Sequence, residues 1–138
     1  MESQMEERIV KFIKRHHVLT LCTTADEAPY CAACFYAYDA ERNLLIFTSD
    51  NQTRHATEMA ANPRVACAIT LETRIVGRVQ GVQICGTARQ GDEQARKCYI
   101  KRFPYAAAAP LQIWVVEPDF IKLTDNTLGF GKKLIWTK

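Results

Sequence analysis

Four polar residues, Thr48, Ser49, Thr53 and Arg54, lie where an apolar run gives way to a short helical pattern. The run at 44–47 is apolar at every position, which is typical of a strand buried on both faces. An arginine in a first helical turn opposes the helix dipole, unless an anion there uses both the cation and the free amides. The three hydroxyls add hydrogen bonds to such an anion. The segment therefore predicts a phosphate-binding site, although such residues also serve as ordinary helix caps and surface side chains.

Six cysteines form a second group with possible chemistry: Cys22, Cys31, Cys34, Cys67, Cys85 and Cys98. Each falls in an apolar periodic segment, so we expect reduced core residues rather than disulfides. Cys31 and Cys34 make a CxxC pair, but residues three apart on a strand point to opposite faces. The three histidines, His16, His17 and His55, complete no zinc motif at this spacing. The spacing also does not place a cysteine beside a histidine as a nucleophilic catalytic pair requires.

The bulk composition is that of a globular domain, with 138 residues, a formal net charge of +3 and 24% charged residues. This length predicts one domain over 1–138. The charge is too small to predict nucleic-acid binding, and the basic residues at 96–102 are typical of a solvated surface. The acidic N-terminus lacks the basic region of a secretory signal, and no apolar run approaches the roughly 18 residues of a membrane span. We therefore expect a cytoplasmic protein.

The first half of the chain alternates helical and strand patterns around the polar segment. Ser3 and Glu6 have the spacing of a capping box, with a helical apolar stripe behind them. A turn is predicted at 25–29 and a polar hairpin connection at 39–43. The predicted elements are a helix ending near His17, strands at 18–24, 30–38 and 44–48, and a helix from Thr53 to the Asn62-Pro63 stop.

The second half is richer in strands. Its predicted elements are a strand at 64–71, a long strand at 75–90, a helix at 92–103, strands at 111–117 and 120–124, and a last strand at 134–137. Gly77, Gly81 and Gly86 permit bends in the long strand, and Pro118-Asp119 separates the two strands near the end. Because strands mostly follow strands, the predicted fold is α+β: a closed or split β-barrel of about six to seven mainly antiparallel strands with three helices.

The order of these motifs resembles the flavin-binding split barrels related to pyridoxamine 5′-phosphate oxidase. The matching motifs, in that family's order, are Ala28-Pro29, Asp39 with Leu45 and Phe47, Thr48 and Ser49, Thr53-Arg54, 62–65 and 83–88. The resemblance spans roughly residues 5 to 120 and is carried by the order rather than by any one motif. Within this superfamily, the chain is most similar to the uncharacterised bacterial YhbP family.

The resemblance implies FMN in a cleft between two subunits. The implied cofactor-binding residues are Phe47, Thr48 and Ser49 at the strand end, Thr53 and Arg54 at the phosphate, Ala33, Cys34 and Phe35 along the isoalloxazine edge, Gln83 from the bent strand, and Trp136 from the partner chain. At 33–35 the backbone groups are expected to do the binding. The oxidases' basic pattern on the second strand and their C-terminal arginine pattern are absent, so the resemblance implies flavin binding more than oxidation of pyridoxamine phosphate.

Three functional hypotheses follow. The first is an FMN-binding homodimer that acts as a flavin-dependent oxidoreductase or reductase on a small cytosolic substrate, with no residue assigned as acid or base. The second is a noncatalytic small-barrel module whose basic helix at 96–102 contacts nucleic acid or protein. The third is a split barrel that holds haem or a deazaflavin in the same cleft.

Overall fold

A computed structural model describes residues 5–138, which form three α-helices and seven β-strands. The helices are α1 (Glu7–Arg15), α2 (Arg54–Ala61) and α3 (Glu93–Arg102). The strands are β1 (Val18–Ala25), β2 (Ala28–Asp39), β3 (Leu44–Thr48), β4 (Arg64–Thr70), β5 (Gln80–Gln90), β6 (Ile113–Asp125) and β7 (Lys133–Thr137). No helix in this part of the chain is long and apolar enough to cross a membrane.

The strands of the described chain pair antiparallel in one sheet, in the order β3-β2-β1-β4-β5-β6-β7. β3 also pairs with β6, from Leu45 opposite Val116 to Thr48 opposite Ile113. This extra pairing closes six strands into a ring and leaves β7 on the outside of it. The predicted α+β split barrel is confirmed, and the ring closes directly before the predicted phosphate-binding segment.

A two-residue turn joins β1 to β2. Asp26 and Glu27 have φ of 51° and 65°, and positive φ at both central residues is what a type I′ hairpin turn requires. The turn predicted at 25–29 is therefore too long, because Ala28 and Pro29 already pair with β1. The sequence did not indicate so tight a turn, since glutamate is an unusual residue at positive φ.

β6 is one continuous strand, so the break predicted at Pro118-Asp119 is wrong. Its pairing with β5 shifts register beside Gly86, which leaves Asp119 as the extra residue of a bulge. Pro118 is tolerated because a bulge needs fewer ladder hydrogen bonds from the strand that carries it. The two backbones approach closely here, since a Cβ on Gly86 would lie 2.5 Å from the carbonyl oxygen of Glu117.

Element ends differ from the prediction at three further places. α1 ends at Arg15, earlier than predicted, and its N-cap Glu6 makes no side-chain capping bond. Ser3, the other half of the predicted capping box, lies outside the described residues. β5 begins at Gln80, because Val76–Arg78 forms a short 3₁₀ helix in place of the first part of the predicted strand.

The core consists of two apolar clusters on opposite sides of the sheet. The larger one fills the barrel and is covered by α1, which contributes Ile9, Phe12 and Ile13. The smaller one lies between the sheet and α3. β3 serves both, with Leu45 and Phe47 facing the barrel interior and its other two apolar residues, Leu44 and Ile46, facing α3. This confirms the prediction that residues 44–47 form a strand buried on both faces.

Candidate functional site

The turn between β3 and α2 is held by Asp50 and Thr53. The backbone N–H and the hydroxyl of Thr53 both donate to the Asp50 carbonyl, at 2.9 and 2.8 Å. The Asp50 carboxylate accepts from the Gln52 N–H at 2.8 Å. Thr53 Oγ1 also accepts from the Ala56 N–H at 3.3 Å and thereby caps α2. The Thr53 hydroxyl is therefore already used in building the turn, whereas the sequence analysis assigned it to a ligand.

An open cleft of about 440 Å³ lies beside this turn. Its lining residues are Thr48, Ser49, Asp50, Gln52, Pro110, Leu111 and Gln112. Gln112 joins the two walls: its carbonyl accepts from the Ser49 N–H at 3.1 Å, and its side-chain oxygen accepts from the Asn51 N–H. Thr48 and Ser49 are thus brought to one cleft as predicted. The segment 110–112 was missed, because it is about 60 residues away along the chain and carries no motif.

His55 is a second residue that the sequence analysis did not place at this site. Its Nε2 lies 2.7 Å from Ser49 Oγ and 3.4 Å from Thr53 Oγ1. Burial lowers the pKa of His55, and the nearby Glu58 carboxylate offsets part of that shift. The imidazole is therefore neutral at pH 7, and its Nε2 and the Ser49 hydroxyl share a hydrogen bond whose donor is set by the tautomer. The contact arises because the tight turn folds the first helical turn back over the end of β3.

Arg54 is anchored by two neighbours. Its Nε donates to Glu58 Oε2 at 3.0 Å, one helical turn along α2, and its guanidinium carbon lies 4.1 Å from the centre of the Tyr30 ring. Glu58 is buried and also accepts from the Thr23 hydroxyl at 3.1 Å. Arg54 therefore has protein partners, contrary to the expectation that the ligand would be its only partner.

The remaining donors of Arg54 point to a binding role. Its side chain is 57% exposed, and its two Nη groups have no hydrogen-bond partner within residues 5–138. Stacking on Tyr30 and pairing with Glu58 restrict the rotamers of the side chain, so less entropy is lost when an anion binds. Arg54 does not line the cleft itself. The predicted anion site is therefore divided between the cleft hydroxyls and the arginine at the start of α2.

The residues assigned to the flavin ring lie on the outer face of the sheet. Ala33, Phe35 and Gln83 are exposed there. One row of paired positions runs from Ala33 through Thr20 and Ala68 to Gln83, across four strands. These residues thus share a face, but Ala33 and Gln83 are three strand spacings, about 14 Å, apart.

Three other predicted site residues turn their side chains into the core. Cys34 and Trp136 are each 8% exposed and Phe47 is 0% exposed. Burial raises the pKa of the Cys34 thiol to about 11. The placement of Cys34 agrees with a role through its backbone alone. Trp136, opposite Ile121, packs mainly into the core of its own chain, because the alternation of side chains along β7 turns it inward. Its remaining surface lines a small pocket of about 120 Å³.

Comparison with known proteins identifies the superfamily of this fold and a narrower family within it. The family model described as pyridoxamine 5′-phosphate oxidase matches residues 5–125. The UPF0306 protein YhbP of Salmonella paratyphi A is 40% identical over 134 residues, which cover 94% of this chain and 91% of that protein.

Two solved structures share the fold at low sequence identity. A heme binding protein from Mycobacterium smegmatis has a TM-score of 0.77 at 18% identity, and the match covers 98% of this chain and 59% of that one. A FAD-binding protein from Mesorhizobium loti has a TM-score of 0.72 at 18% identity, with 84% of this chain and 89% of that one covered. At such identities the likeness concerns the fold alone.

The ring closed by β3 and β6, with α2 starting at the end of β3, is the split barrel of the pyridoxamine 5′-phosphate oxidase-like proteins. The chain belongs to this superfamily and, within it, to the UPF0306 proteins that include YhbP. The resemblance drawn from the order of sequence motifs is confirmed.

Proposed function

We propose that the chain is a cytoplasmic FMN-binding protein that acts as a flavin-dependent oxidoreductase or reductase on a small substrate. Family membership supports a cofactor in this fold, since the FAD-binding protein named above shares it. Arg54, Thr48 and Ser49 are the residues that would hold the phosphate, and the edge of β2 at 33–35 would lie along the ring. Bound FMN would supply the hydride and electron transfer, and the chain would bind and orient it.

The observation that carries this proposal is the anchored, half-exposed Arg54. Two free Nη donors beside each other fit two oxygens of one phosphate group in a bidentate hydrogen bond. A single cation of this kind suits the terminal phosphate monoester of FMN better than the internal pyrophosphate of FAD. Riboflavin, which has the ring without the phosphate, would leave Arg54 unused.

Titration of the purified protein with FMN, FAD, riboflavin and haemin, followed by calorimetry and absorbance, tests the proposal. We expect FMN to bind most tightly, with one molecule per chain, and riboflavin to bind at least about tenfold more weakly. Haemin binding with a Soret band and no flavin binding would favour the haem alternative, which the heme binding neighbour motivates. Absence of binding by all four ligands would contradict a cofactor role.

The proposal includes a homodimer that pairs the outer faces of β2, β1, β4 and β5. The first row on this face is free of charge and consists of Ala33, Thr20, Ala68 and Gln83. Phe35 and Val18 stand opposite each other beyond the first row, exposed by 55% and 45%. An uncharged face of mostly small and apolar side chains, with an exposed phenylalanine and valine at its edge, suits a second copy of the same chain.

Light scattering tests the dimer. We expect about twice the 15.7 kDa of one chain for the wild type and a monomer for Ala68→Glu, which places a charge in the middle of the face. Lys97→Glu on exposed α3 is the matched control and should remain dimeric. A monomeric wild type that binds FMN with full affinity would remove the partner chain from the proposed site.

The nucleic-acid alternative loses its main support in the geometry of α3. Arg102, the last cation of the basic helix pattern, donates to the carbonyl oxygens of His16, Lys14 and Tyr36, at 2.6, 3.2 and 3.3 Å. It therefore docks α3 against α1 and β2 and is not available as a phosphate contact. The cations left on this helix, the exposed Lys97 and Lys101 and the half-buried Arg96, are too few for a phosphate-tracking surface.

A further inference from the structure

Cys22 and Cys31 face each other across the β1–β2 hairpin. They are directly paired in register, and their sulfur atoms lie 3.2 Å apart. The Tyr36 N–H donates to the His17 carbonyl at 2.9 Å, which makes that pair a hydrogen-bonded one. Alternation along the ladder makes Cys22 and Cys31 a non-hydrogen-bonded pair, whose Cα atoms are about 4.5 Å apart. That separation lies within the range of disulfide-bonded cysteines, about 4.4 to 6.8 Å.

The two thiols differ in access. Cys31 is exposed, whereas Cys22 is half-buried between Cys31 and β4. Burial, and after it the hydrogen bond and charge of Cys31, raise the pKa of Cys22 to about 11. Cys22 therefore keeps its proton, and Cys31 is the thiol of the pair that solvent reaches. An exposed attacking thiol and a protected resolving thiol are what a dithiol exchange site requires.

The other four cysteines lack such an arrangement. Cys34 and Cys67 are buried in the barrel. Cys98 is half-buried on α3. Cys85 shares the row of the pair, but Ala66 stands between it and Cys22, so it has no sulfur within contact distance. Among residues 5–138, Cys22 and Cys31 form the one thiol pair in contact, and the CxxC pair that the sequence suggests is divided between two faces of β2.

We propose that Cys22 and Cys31 form a dithiol–disulfide redox site that is oxidised by small-molecule disulfides. The Cys31 thiolate attacks one sulfur of the oxidant, which forms a mixed disulfide and releases the first thiolate of the oxidant. Cys22 then loses its proton to solvent and attacks the sulfur of Cys31, which closes the Cys22–Cys31 bond and releases the second thiolate. The protein loses two electrons and the oxidant gains them, as it is converted into two thiols.

The hairpin is already arranged for this reaction. The tight turn at Asp26 and Glu27 and the continuous ladder on both sides of it hold the cysteines in register, so the bond forms without a shift of either strand. The loop that the bond closes is short, which limits its effect on the stability of the fold. The site needs neither the flavin nor the dimer proposed above, because it lies one row closer to the turn than Ala33, outside the row on which the dimer is argued.

Incubation of the folded protein in glutathione buffers of increasing oxidised fraction, followed by alkylation and intact-mass measurement, tests the site. We expect the wild type to lose two alkylatable thiols together, with peptide mapping to Cys22 and Cys31. Cys22→Ser should accumulate one glutathione mixed disulfide on Cys31, because the resolving thiol is absent. Cys31→Ser should form neither product at a comparable rate, since the buried partner is slow to react.

Cys85→Ser is the matched control, because it removes a half-buried thiol from the same row without touching the pair. It should retain the wild-type loss of two thiols. If Cys22→Ser is poorly folded by circular dichroism, the exposed Cys31→Ser variant decides alone. A wild type that keeps all its thiols alkylatable in strongly oxidising buffer overturns the proposal, as does a disulfide that maps to Cys31 and Cys34 or that depends on Cys85.

Discussion

The start of α2 and the end of α3 each carry an arginine beside aromatic rings, and the two arginines are used differently. Arg102 donates to three backbone carbonyls and lies within 6 Å of the rings of Tyr36 and Phe103. Arg54 donates once, to Glu58, and stacks on one ring. Arg102 uses its donors within the fold, whereas Arg54 keeps two donors for another molecule.

The difference shows why charge patterns alone do not locate a binding site. In sequence, both arginines lie near a helix end in a polar stretch. What separates them is the supply of carbonyl acceptors nearby: the end of α1 and β2 offer three to Arg102, whereas the start of α2 offers none to Arg54. Arg102 should therefore act on stability and Arg54 on ligand affinity, and the following experiments test that division.

The largest expected effect is that of Arg102→Ala on stability. Loss of three charge-assisted hydrogen bonds that join α3, α1 and β2 should lower the free energy of unfolding by about 3 kcal/mol or more. Urea denaturation measures it. Arg102→Lys should recover little, because an ammonium cannot reach three carbonyls at once. A fully stable Arg102→Ala protein would place α3 docking in the apolar contacts of Tyr99 and Phe103 instead.

Next in size is the effect of Arg54→Ala on FMN binding. Removal of a bidentate charge-assisted contact should weaken FMN binding by about ten- to a hundredfold, equivalent to roughly 1.5 to 3 kcal/mol. Arg54→Glu should weaken it further, since it places two like charges together. Riboflavin binding should be nearly indifferent to both changes, and calorimetry with each ligand measures the contrast.

Two outcomes would change the assignment of Arg54. Equal losses for FMN and riboflavin would mean that Arg54 acts through the fold or the ring rather than through the phosphate. Undiminished FMN binding by Arg54→Glu would remove the site altogether. Glu58→Gln and the double variant Arg54→Ala/Glu58→Gln repeat this comparison in proteins that have no buried carboxylate to lose its cation. A difference in FMN affinity between these two variants therefore reports on the phosphate contact of Arg54.

A smaller effect of Arg54→Ala concerns stability, through Glu58. The buried carboxylate would keep the Thr23 hydroxyl but lose its cation, which should cost about 1 to 2 kcal/mol of unfolding free energy. This value is discounted because Arg54 is 57% exposed and its charge is screened by solvent. Glu58→Gln should cost less than about 1 kcal/mol, and adding it to Arg54→Ala should restore stability. Thermal and urea denaturation of the three variants check this.

The smallest effect is the pH dependence that comes from His55. Because burial lowers the pKa of His55 in the folded protein, its neutral form contributes stability that is present above the unfolded pKa of about 6.5. That contribution is lost as the pH falls toward the folded pKa. His55→Asn should therefore show a shallower loss of stability between about pH 7 and pH 5 than the wild type.

His16 works in the same direction and must be separated from His55. Burial, followed by the nearby charges of Arg15, His17 and Arg102, lowers the pKa of His16. A double variant, His16→Asn/His55→Asn, should have the flattest profile of the set. If His55→Asn alone matches the wild type over this range, the Ser49 contact does not hold the imidazole in its neutral form.

Local patterns predicted most of the elements in this chain. The strand at 44–48 and the helix before Asn62-Pro63 could be predicted because apolar periodicity and a proline stop act over a few residues. The break at Pro118 was wrong because the bulge that accommodates the proline depends on Gly86, a residue of another strand. In the same way, Thr48 and Ser49 could be placed at one cleft from local order, whereas Gln112 and Glu58 were missed.

The sequence by itself determined the alternation of strands and helices, the apolar faces and the family, because each depends on residue types and on their order along the chain. Only the tertiary structure decided that Arg54 keeps two free donors, that Trp136 turns inward and that Cys31 contacts Cys22 rather than Cys34. These outcomes depend on strand register and on which backbone carbonyls come within reach of a side chain. Neither is encoded in spacing along the chain, because pairing across a sheet joins residues that are distant in sequence.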